Sequence, residues 1–289
     1  MGVVGTGYWA EVVHAAGVAA HPAVELAAVW GRDAAKAGAL ADRHGVAAYD
    51  DFDAFLGEVD LVTFAVPPQV QADLALRAAD AGKHLLLEKP VTTDLAAAEQ
   101  LVEAVERSGV STVVFFTYRF VPFSEDFLDD VRTHDLRGGA AWWYAGHAAT
   151  GSPFANSPWR QQDGALWDVG PHALSQLLPA LGPVTAVAGS RGEGDLAHVV
   201  LTHGGGATSV MSLCMTMPAG AERVGVEFYD EHGWHTRPEA ERDVDDAYAR
   251  ALTELLANIA SGETGHRCDV RFGRDVVEVL SRCQDVLDR

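Results

Sequence analysis

The chain has 289 residues, 48% of them hydrophobic, and a formal net charge of -20. That is enough apolar content for a real core, with room for one large domain or two. The charge argues against nucleic acid and against anionic membrane surfaces, both of which would repel it, and no apolar stretch is long enough to span a bilayer.

In chain order, the first part alternates short apolar runs with helix-like segments. Residues 3–4 lead into a helix over 8–18, and the run at 24–30 leads into one over 33–44. The run at 61–65 precedes a helix over 69–81, that at 84–88 precedes one over 94–108, and a last strand covers 112–117. Asp33, Asp51 and Asp94 stand where N-caps belong, and Gly82 and Gly109 where helices stop. Strand–helix alternation predicts βαβ units on a parallel sheet, whose right-handed crossovers place the strand ends on one side. After about Tyr118 the pattern changes. A linker enters a helix within 119–131, a strand with three aromatics covers 140–145, and 147–163 reads as a loop. One helix is expected over 166–181, starting at or near Pro171. Strands follow at 184–189, 197–202 and 207–217, with Gly204-Gly205-Gly206 as a hairpin signal. Two amphipathic helices, 246–260 and 272–287, close the chain. The expected fold is therefore α/β. A doubly wound parallel sheet occupies 1–117, and an α/β domain with a predominantly antiparallel open sheet occupies 118–289, its last helix free to pack back on the first domain.

Three segments carry chemistry. The first is the turn Gly5-Thr6-Gly7-Tyr8-Trp9-Ala10, which matches the G-x-G-x-x-G/A dinucleotide pattern between a strand and a helix. Gly5 permits the tight turn, Gly7 lets the backbone approach a pyrophosphate, and Ala10 lets helix and strand pack closely; the helix N-terminus then faces the anion. The strand before Gly5 is short, with about four residues against a usual ~5–6. The residue after the second strand distinguishes cofactors, because an acid there binds the ribose 2′-hydroxyl of NAD. Gly31 replaces that acid and Arg32 follows, which favours a 2′-phosphate and hence NADP over NAD. Two alternatives stay open: Arg32 as a solvated residue before the Asp33 cap, and Asp33 itself as a ribose partner.

The second segment is Leu85-Leu86-Leu87-Glu88-Lys89-Pro90. An apolar run bounded by Gly82 and Pro90 fits a strand buried within a sheet, and Lys89 then sits at its carboxyl end, where open α/β sheets bind ligands. Proline after the lysine restricts Lys89 to extended backbone and makes a cis Lys89–Pro90 bond conceivable. The third segment is Asp168-Val169-Gly170-Pro171-His172. Asp168 and His172 are four apart, on one face if helical, where a carboxylate raises the basicity of an imidazole and fixes its tautomer. The bland reading makes Asp168 a helix cap and His172 a satisfied surface histidine.

Taken in order, the residue 5–10 turn, Glu88-Lys89-Pro90, Tyr118-Arg119-Phe120 with Pro122, and Asp168-Val169-Gly170-Pro171-His172 resemble the glucose–fructose oxidoreductase / inositol dehydrogenase / MocA (Gfo/Idh/MocA) family over nearly the whole chain. The resemblance implies a Rossmann domain followed by a substrate-binding and oligomerisation domain, with the active site between them. It implies NAD(P)-dependent hydride transfer between nicotinamide and a secondary alcohol or ketone of a sugar, inositol or related polyol. Lys89 would bond the reacting hydroxyl and the nicotinamide ribose, His172 would be the acid/base, and Asp168 would orient substrate or histidine. The implied cofactor contacts are Gly5, Thr6, Gly7, Tyr8, Trp9, Ala10, Gly31, Arg32, Pro67, Glu88 and Lys89; the implied substrate contacts are Arg119, Trp159 and Arg160. A dimer or tetramer is expected by analogy, since an open sheet face can pack on another copy. The chain is shorter than most relatives, chiefly in its second part, so pocket loops would be trimmed. The competing reading is a non-enzymatic dinucleotide sensor or corepressor on the same scaffold, which would not need Lys89, Asp168 and His172 together.

The rest of the sequence is quieter. Trp142, Trp143 and Tyr144 alternate across a strand, with core packing the expected role of Trp143. Cys214, Cys268 and Cys283 form no C-x-x-C and fit a reduced compartment; with no basic, apolar leader, the expectation is a cytoplasmic protein. Twelve histidines are scattered. His198 and His203 flank a strand, His232 and His235 lie in a loop-like stretch, and neither pair has an acidic or Cys partner at ligand spacing, so no metal is expected.

Overall fold

A computed structural model describes residues 1–146 and 157–289. It divides into two compact units, Met1–Phe120 with Asp243–Asp275, and Val121–Arg242 with Val276–Arg289.

The first unit holds a six-stranded sheet in the order β3-β2-β1-β4-β5-β6. Its strands are β1 (Gly2–Val4), β2 (Ala28–Trp30), β3 (Ala47–Tyr49), β4 (Leu61–Phe64), β5 (His84–Leu87) and β6 (Thr112–Val114). All pairs are parallel. The apolar runs are short because both faces are covered, as parallel sheets require: Leu85, Leu86 and Leu87 are wholly buried. A π-helical segment, Ala10–Ala15, runs into α1 (Ala16–Ala20); α2 (Ala34–His44), α3 (Phe52–Gly57), α4 (Pro68–Asp80) and α5 (Leu95–Ser108) follow. Asp33, Asp51 and Asp94 cap α2, α3 and α5 through their carboxylates, as their positions predict. The strand order reverses between β1 and β4, which creates a switch point at the carboxyl ends of the strands.

The second unit holds a six-stranded sheet in the order β12-β11-β7-β10-β9-β8. Its strands are β7 (Gly138–Tyr144), β8 (Val184–Arg191), β9 (Ala197–His203), β10 (Thr208–Cys214), β11 (Arg223–Asp230) and β12 (Gly233–Thr236). Four pairings are antiparallel, and β7 with β10 is parallel. One face is core: Ala197, Val199 and Leu201 of β9 are wholly buried. The other is open, with the cross-strand pair Val200 and Val210 44% and 40% exposed. Helices α6 (Pro122–Val131), α7 (Pro158–Asp168) and α8 (Gly170–Leu181) belong to this unit. Helix α9 (Val244–Ser261) belongs to the first unit, whereas α10 (Val270–Leu287) begins in the first and ends in the second. Among the described residues no helix is long and apolar enough to cross a membrane, and the three cysteines are buried and form no disulfide.

Several elements depart from expectation. Strand β2 starts at Ala28 rather than residue 24. The stretch holding His232 and His235 is not a loop but the β11–β12 hairpin, turned at Gly233 with φ +141°. The loop expected over 147–163 lies partly outside the described residues, and its end is helical from Pro158. The single helix expected over 166–181 is two, divided at Val169 (φ −106°, ψ −17°), with a further break inside α7 at Gly164 (φ +66°). Glycine supplies that break because its backbone enters the left-handed region without steric cost.

Candidate active site

In the first unit the dinucleotide turn and the Glu-Lys-Pro loop are bonded into one cluster. Gly5 leaves β1 at φ +127°, and a Cβ there would lie 2.4 Å from the Ala65 carbonyl oxygen, so only glycine fits. A Cβ on exposed Gly7 would meet nothing within 4 Å, so its backbone is open to a ligand. Ala10 is buried against the sheet. These features fit a dinucleotide pyrophosphate: a tight turn, an accessible backbone and a close helix–strand contact. Gly31 is confined, since a Cβ would meet Thr6 Cγ2 at 2.6 Å. The Asp33 carboxylate accepts from the N–H groups of Ala35 and Lys36, so it is engaged as the cap of α2. Arg32 is exposed beside it. Pro67 precedes α4, and Tyr8 is 52% exposed on the turn.

Glu88 joins the two motifs. Its Oε1 accepts from Trp9 Nε1 at 2.7 Å and bonds His14 Nε2 at 3.1 Å, while Oε2 accepts from the Lys89 N–H at 3.1 Å. Behind it, His14 Nδ1 lies 2.7 Å from Thr63 Oγ1, to which the Tyr248 hydroxyl donates at 3.0 Å. Burial pushes the Tyr248 phenol far above its ordinary value, so it stays protonated. The Thr63 hydroxyl, accepting from Tyr248, has its own proton for His14 Nδ1. His14 Nε2–H then donates to Glu88, which fixes the tautomer and satisfies every member of the chain. The wholly buried His14 lies on the π-helical segment, a distortion of the kind found at functional sites.

Gln71 holds the loop from the other side. Its Oε1 accepts from the Glu88 N–H at 2.8 Å, and its Nε2 donates to the carbonyls of Glu88, Pro90 and Val91 at 2.7, 3.2 and 3.1 Å. Lys89 is half-buried at this bend, and the Lys89–Pro90 bond is cis. Arg119 is buried, with its guanidinium 5.9 Å from the Phe272 ring centroid and its carbonyl accepting from Arg267.

In the second unit Asp168 is the last residue of α7 and His172 lies in the first turn of α8. They do not share one continuous helix, and Asp168 is not the N-cap of α8, a position held by Val169. Asp168 Oδ2 accepts from Arg160 Nε at 3.0 Å. Arg160 lies on α7 rather than in a loop, 4.6 Å from the centroid of the neighbouring Trp159 ring. Trp143 is buried as expected and also stacks on His172, with centroids 5.8 Å apart and planes 15° from parallel. The Arg237 guanidinium lies 5.5 Å from the Trp143 ring, and its Nη1 donates to Gln176 Oε1 at 3.0 Å.

Thus Trp9, Glu88 and Lys89 meet in the first unit, as do Trp159, Arg160 and Asp168 in the second. The sequence reading missed His14, Thr63, Gln71 and Tyr248 in the first unit, and Gln176 and Arg237 in the second. Two had a local signal: His14 follows Ala10, and Gln176 follows His172, each by one helical turn. Tyr248 and Arg237 arrive from distant elements and had none.

Residues 1–116 match the "Oxidoreductase family, NAD-binding Rossmann fold" domain of the Gfo/Idh/MocA group, and residues 136–236 match the "GFO/IDH/MocA C-terminal domain". The chain belongs to the Gfo/Idh/MocA family. Among curated relatives it is 30% identical over 196 residues to an uncharacterized oxidoreductase of Synechocystis, covering 64% of this chain and 52% of that protein. It is 38% identical over 104 residues to a D-xylose 1-dehydrogenase (NADP(+)) of Haloferax volcanii, covering 35% of this chain and 32% of that one. The matched regions thus span about half or less of these relatives' length. Among solved structures, a UDP-N-acetylglucosamine 3-dehydrogenase of Acidithiobacillus ferrooxidans shares the fold with a TM-score of 0.84 at 20% identity, covering 99% of this chain and 96% of that one.

Proposed function

We propose that this Gfo/Idh/MocA protein is an NAD(P)-dependent oxidoreductase acting on a secondary alcohol or ketone of a sugar-like polyol. The observation that carries this is the bonding of the residue 5–10 turn to the Glu88-Lys89 loop through Trp9 and Glu88, at the carboxyl ends of β1 and β5 beside the switch point. A pure binding module needs the turn, but it does not need a lysine held at the adjoining strand end by Gln71 and Glu88. The nicotinamide ring, when bound, supplies the hydride donor or acceptor. Gly5, Gly7 and Ala10 seat the pyrophosphate, with Thr6, Tyr8, Trp9, Gly31 and Pro67 around the dinucleotide. Arg32, with Gly31 offering no carboxylate, favours the 2′-phosphate of NADP. His172 moves the proton of the reacting hydroxyl, Lys89 donates to that oxygen, and Asp168, fixed by Arg160, orients the group it faces. Arg119, Trp159 and Arg160 are the proposed substrate contacts. The sugar reading is supported by the activities named for the Haloferax and Acidithiobacillus proteins. The exposed Val200–Val210 pair on the open sheet supports a homo-oligomer.

The test is a screen of sugars, inositols and their keto forms for changes in nicotinamide absorbance, run on the wild type, Lys89→Ala and His172→Ala. Each variant should lose ~10²–10⁴ in rate while folding normally. A His172→Ala protein with near-normal kcat would remove the assigned acid/base role. Arg32→Ala should weaken NADP(H) selectively.

A further inference from the structure

The end of β11 gathers a second cluster of ligating side chains, none of them among the residues assigned above. Asp230 has only 3% of its side chain exposed, and its Oδ2 meets two imidazoles, His134 Nδ1 and His235 Nε2, each at 3.0 Å. Its Oδ1 accepts from the N–H groups of His232 and Gly233 at 2.7 and 3.1 Å, at the hairpin turn. The rings of His134 and His235 stand with centroids 4.2 Å apart and planes at 55°. Asp130, exposed on the last turn of α6, adds a second carboxylate: one ligand atom each from Asp130, His134 and His235 lies within 4.8 Å of the others.

Charge and tautomer both favour a cation here. The Asp230 carboxylate accepts from the backbone N–H groups of His232 and Gly233 and faces the two imidazoles, an array of donors that suits an anion. Neither Asp130 nor Asp230 forms an ion pair with lysine or arginine among the described residues. The nearby arginines are engaged elsewhere, Arg132 with Glu125 and Asp129, and Arg137 with Glu231. Each neutral imidazole that donates its N–H to Asp230 keeps a lone pair on its other nitrogen. A carboxylate behind a histidine in this way is the usual outer partner of a metal-binding imidazole. Two imidazoles and one carboxylate suit zinc, nickel or copper rather than magnesium or calcium, which prefer all-oxygen sites.

We infer that Asp130, His134 and His235 bind a divalent transition-metal ion of the zinc class, with Asp230 orienting the two imidazoles. The ion would tie the end of α6 to the β11–β12 hairpin, and so stabilise the second unit. The inference is independent of the oxidoreductase reading. The test is calorimetric titration of zinc sulfate into the chelator-stripped full chain, beside its Asp130→Asn, His134→Gln, Asp230→Asn and His232→Gln variants. The wild type should take up one ion that His134→Gln does not, and its melting temperature should rise with zinc. Asp130→Asn, a change at an exposed site that leaves the fold intact, should bind more weakly, and Asp230→Asn ~10–100-fold more weakly. His232→Gln, which alters the exposed histidine of the same hairpin, should bind as the wild type does. No zinc uptake by the wild type, or equal uptake by Asp130→Asn and His134→Gln, would overturn the inference.

Discussion

Replacing Gln71 with alanine should destabilise the first unit far more than the loss of one polar side chain suggests. Gln71 is wholly buried on α4 and makes four hydrogen bonds to the backbone of residues 88–91. The variant leaves the Glu88 N–H and the carbonyls of Glu88, Pro90 and Val91 without this partner, and each unsatisfied buried group costs ~1–3 kcal/mol. The space vacated admits a water, which restores part of the loss, so a net cost of about 2–4 kcal/mol is expected. Against a typical total of roughly 5–15 kcal/mol this is a large fraction. Urea denaturation of the wild type, Gln71→Ala and Gln69→Ala measures it. Gln69 is exposed and bonds Thr93 Oγ1 at 3.0 Å, so its variant should stay within about 0.5 kcal/mol. Gln71→Glu should be worse than Gln71→Ala, because a carboxylate cannot donate to three carbonyls and is repelled by them. A Gln71→Ala loss no larger than that of Gln69→Ala would refute the argument that this side chain holds the lysine loop.

Two further predictions concern titration. His203 is buried, its Nδ1–H donates to the Gly182 carbonyl at 2.8 Å, and Nε2 therefore accepts from Ser209 at 2.9 Å. Burial lowers its pKa despite the Gly182 bond, so the unfolded chain binds the proton more readily than the folded one. Stability should be full above the ordinary histidine value of ~6.5 and fall as the pH drops below it toward the lower folded value, by at most ~1.4 kcal/mol per pH unit. The same denaturation series on His203→Gln should show a shallower slope, the remainder coming from groups such as His84, which burial shifts the same way, and an identical slope would contradict the assignment. Cys283 is buried and its thiol is pushed up to about 12, so it carries almost no thiolate at neutral pH. Mass-spectrometric mapping of alkylation should find it unlabelled in the native protein and labelled in urea; rapid native labelling would show that the α10 core opens.

The parts of the fold legible in the sequence were those written locally. Asp33, Asp51 and Asp94 marked helix starts because a capping carboxylate acts within three residues, and the Gly204–Gly206 run marked the β9–β10 hairpin. The apolar run at 85–87 declared a strand buried on both faces. Strands β3 and β12 were illegible for the opposite reason. Three residues of β3 at an exposed edge carry no apolar pattern, and Gly233 with two histidines mimics a loop. At the candidate site, the motif residues were visible by type and spacing. What locks them was not: His14, Thr63 and Tyr248 form one hydrogen-bonded chain although Tyr248 lies 185 positions beyond Thr63. The Asp230 cluster was hidden in the same way, with His134 reaching it across 96 positions. No spacing rule reports a contact that only the packing of distant elements creates.

The central claim is that the residue 5–10 turn seats a nicotinamide dinucleotide. Calorimetric titration of NADP(H) and NAD(H) into the wild type and Gly7→Val tests it most directly, because the Gly7 Cβ direction is open and the variant should fold as the wild type does. The account predicts saturable binding of one dinucleotide per wild-type chain, tighter for NADP(H), and loss of that binding in Gly7→Val, where the side chain would stand between the backbone and the pyrophosphate. A wild type that binds neither dinucleotide, or a folded Gly7→Val that binds as tightly as the wild type, would contradict it.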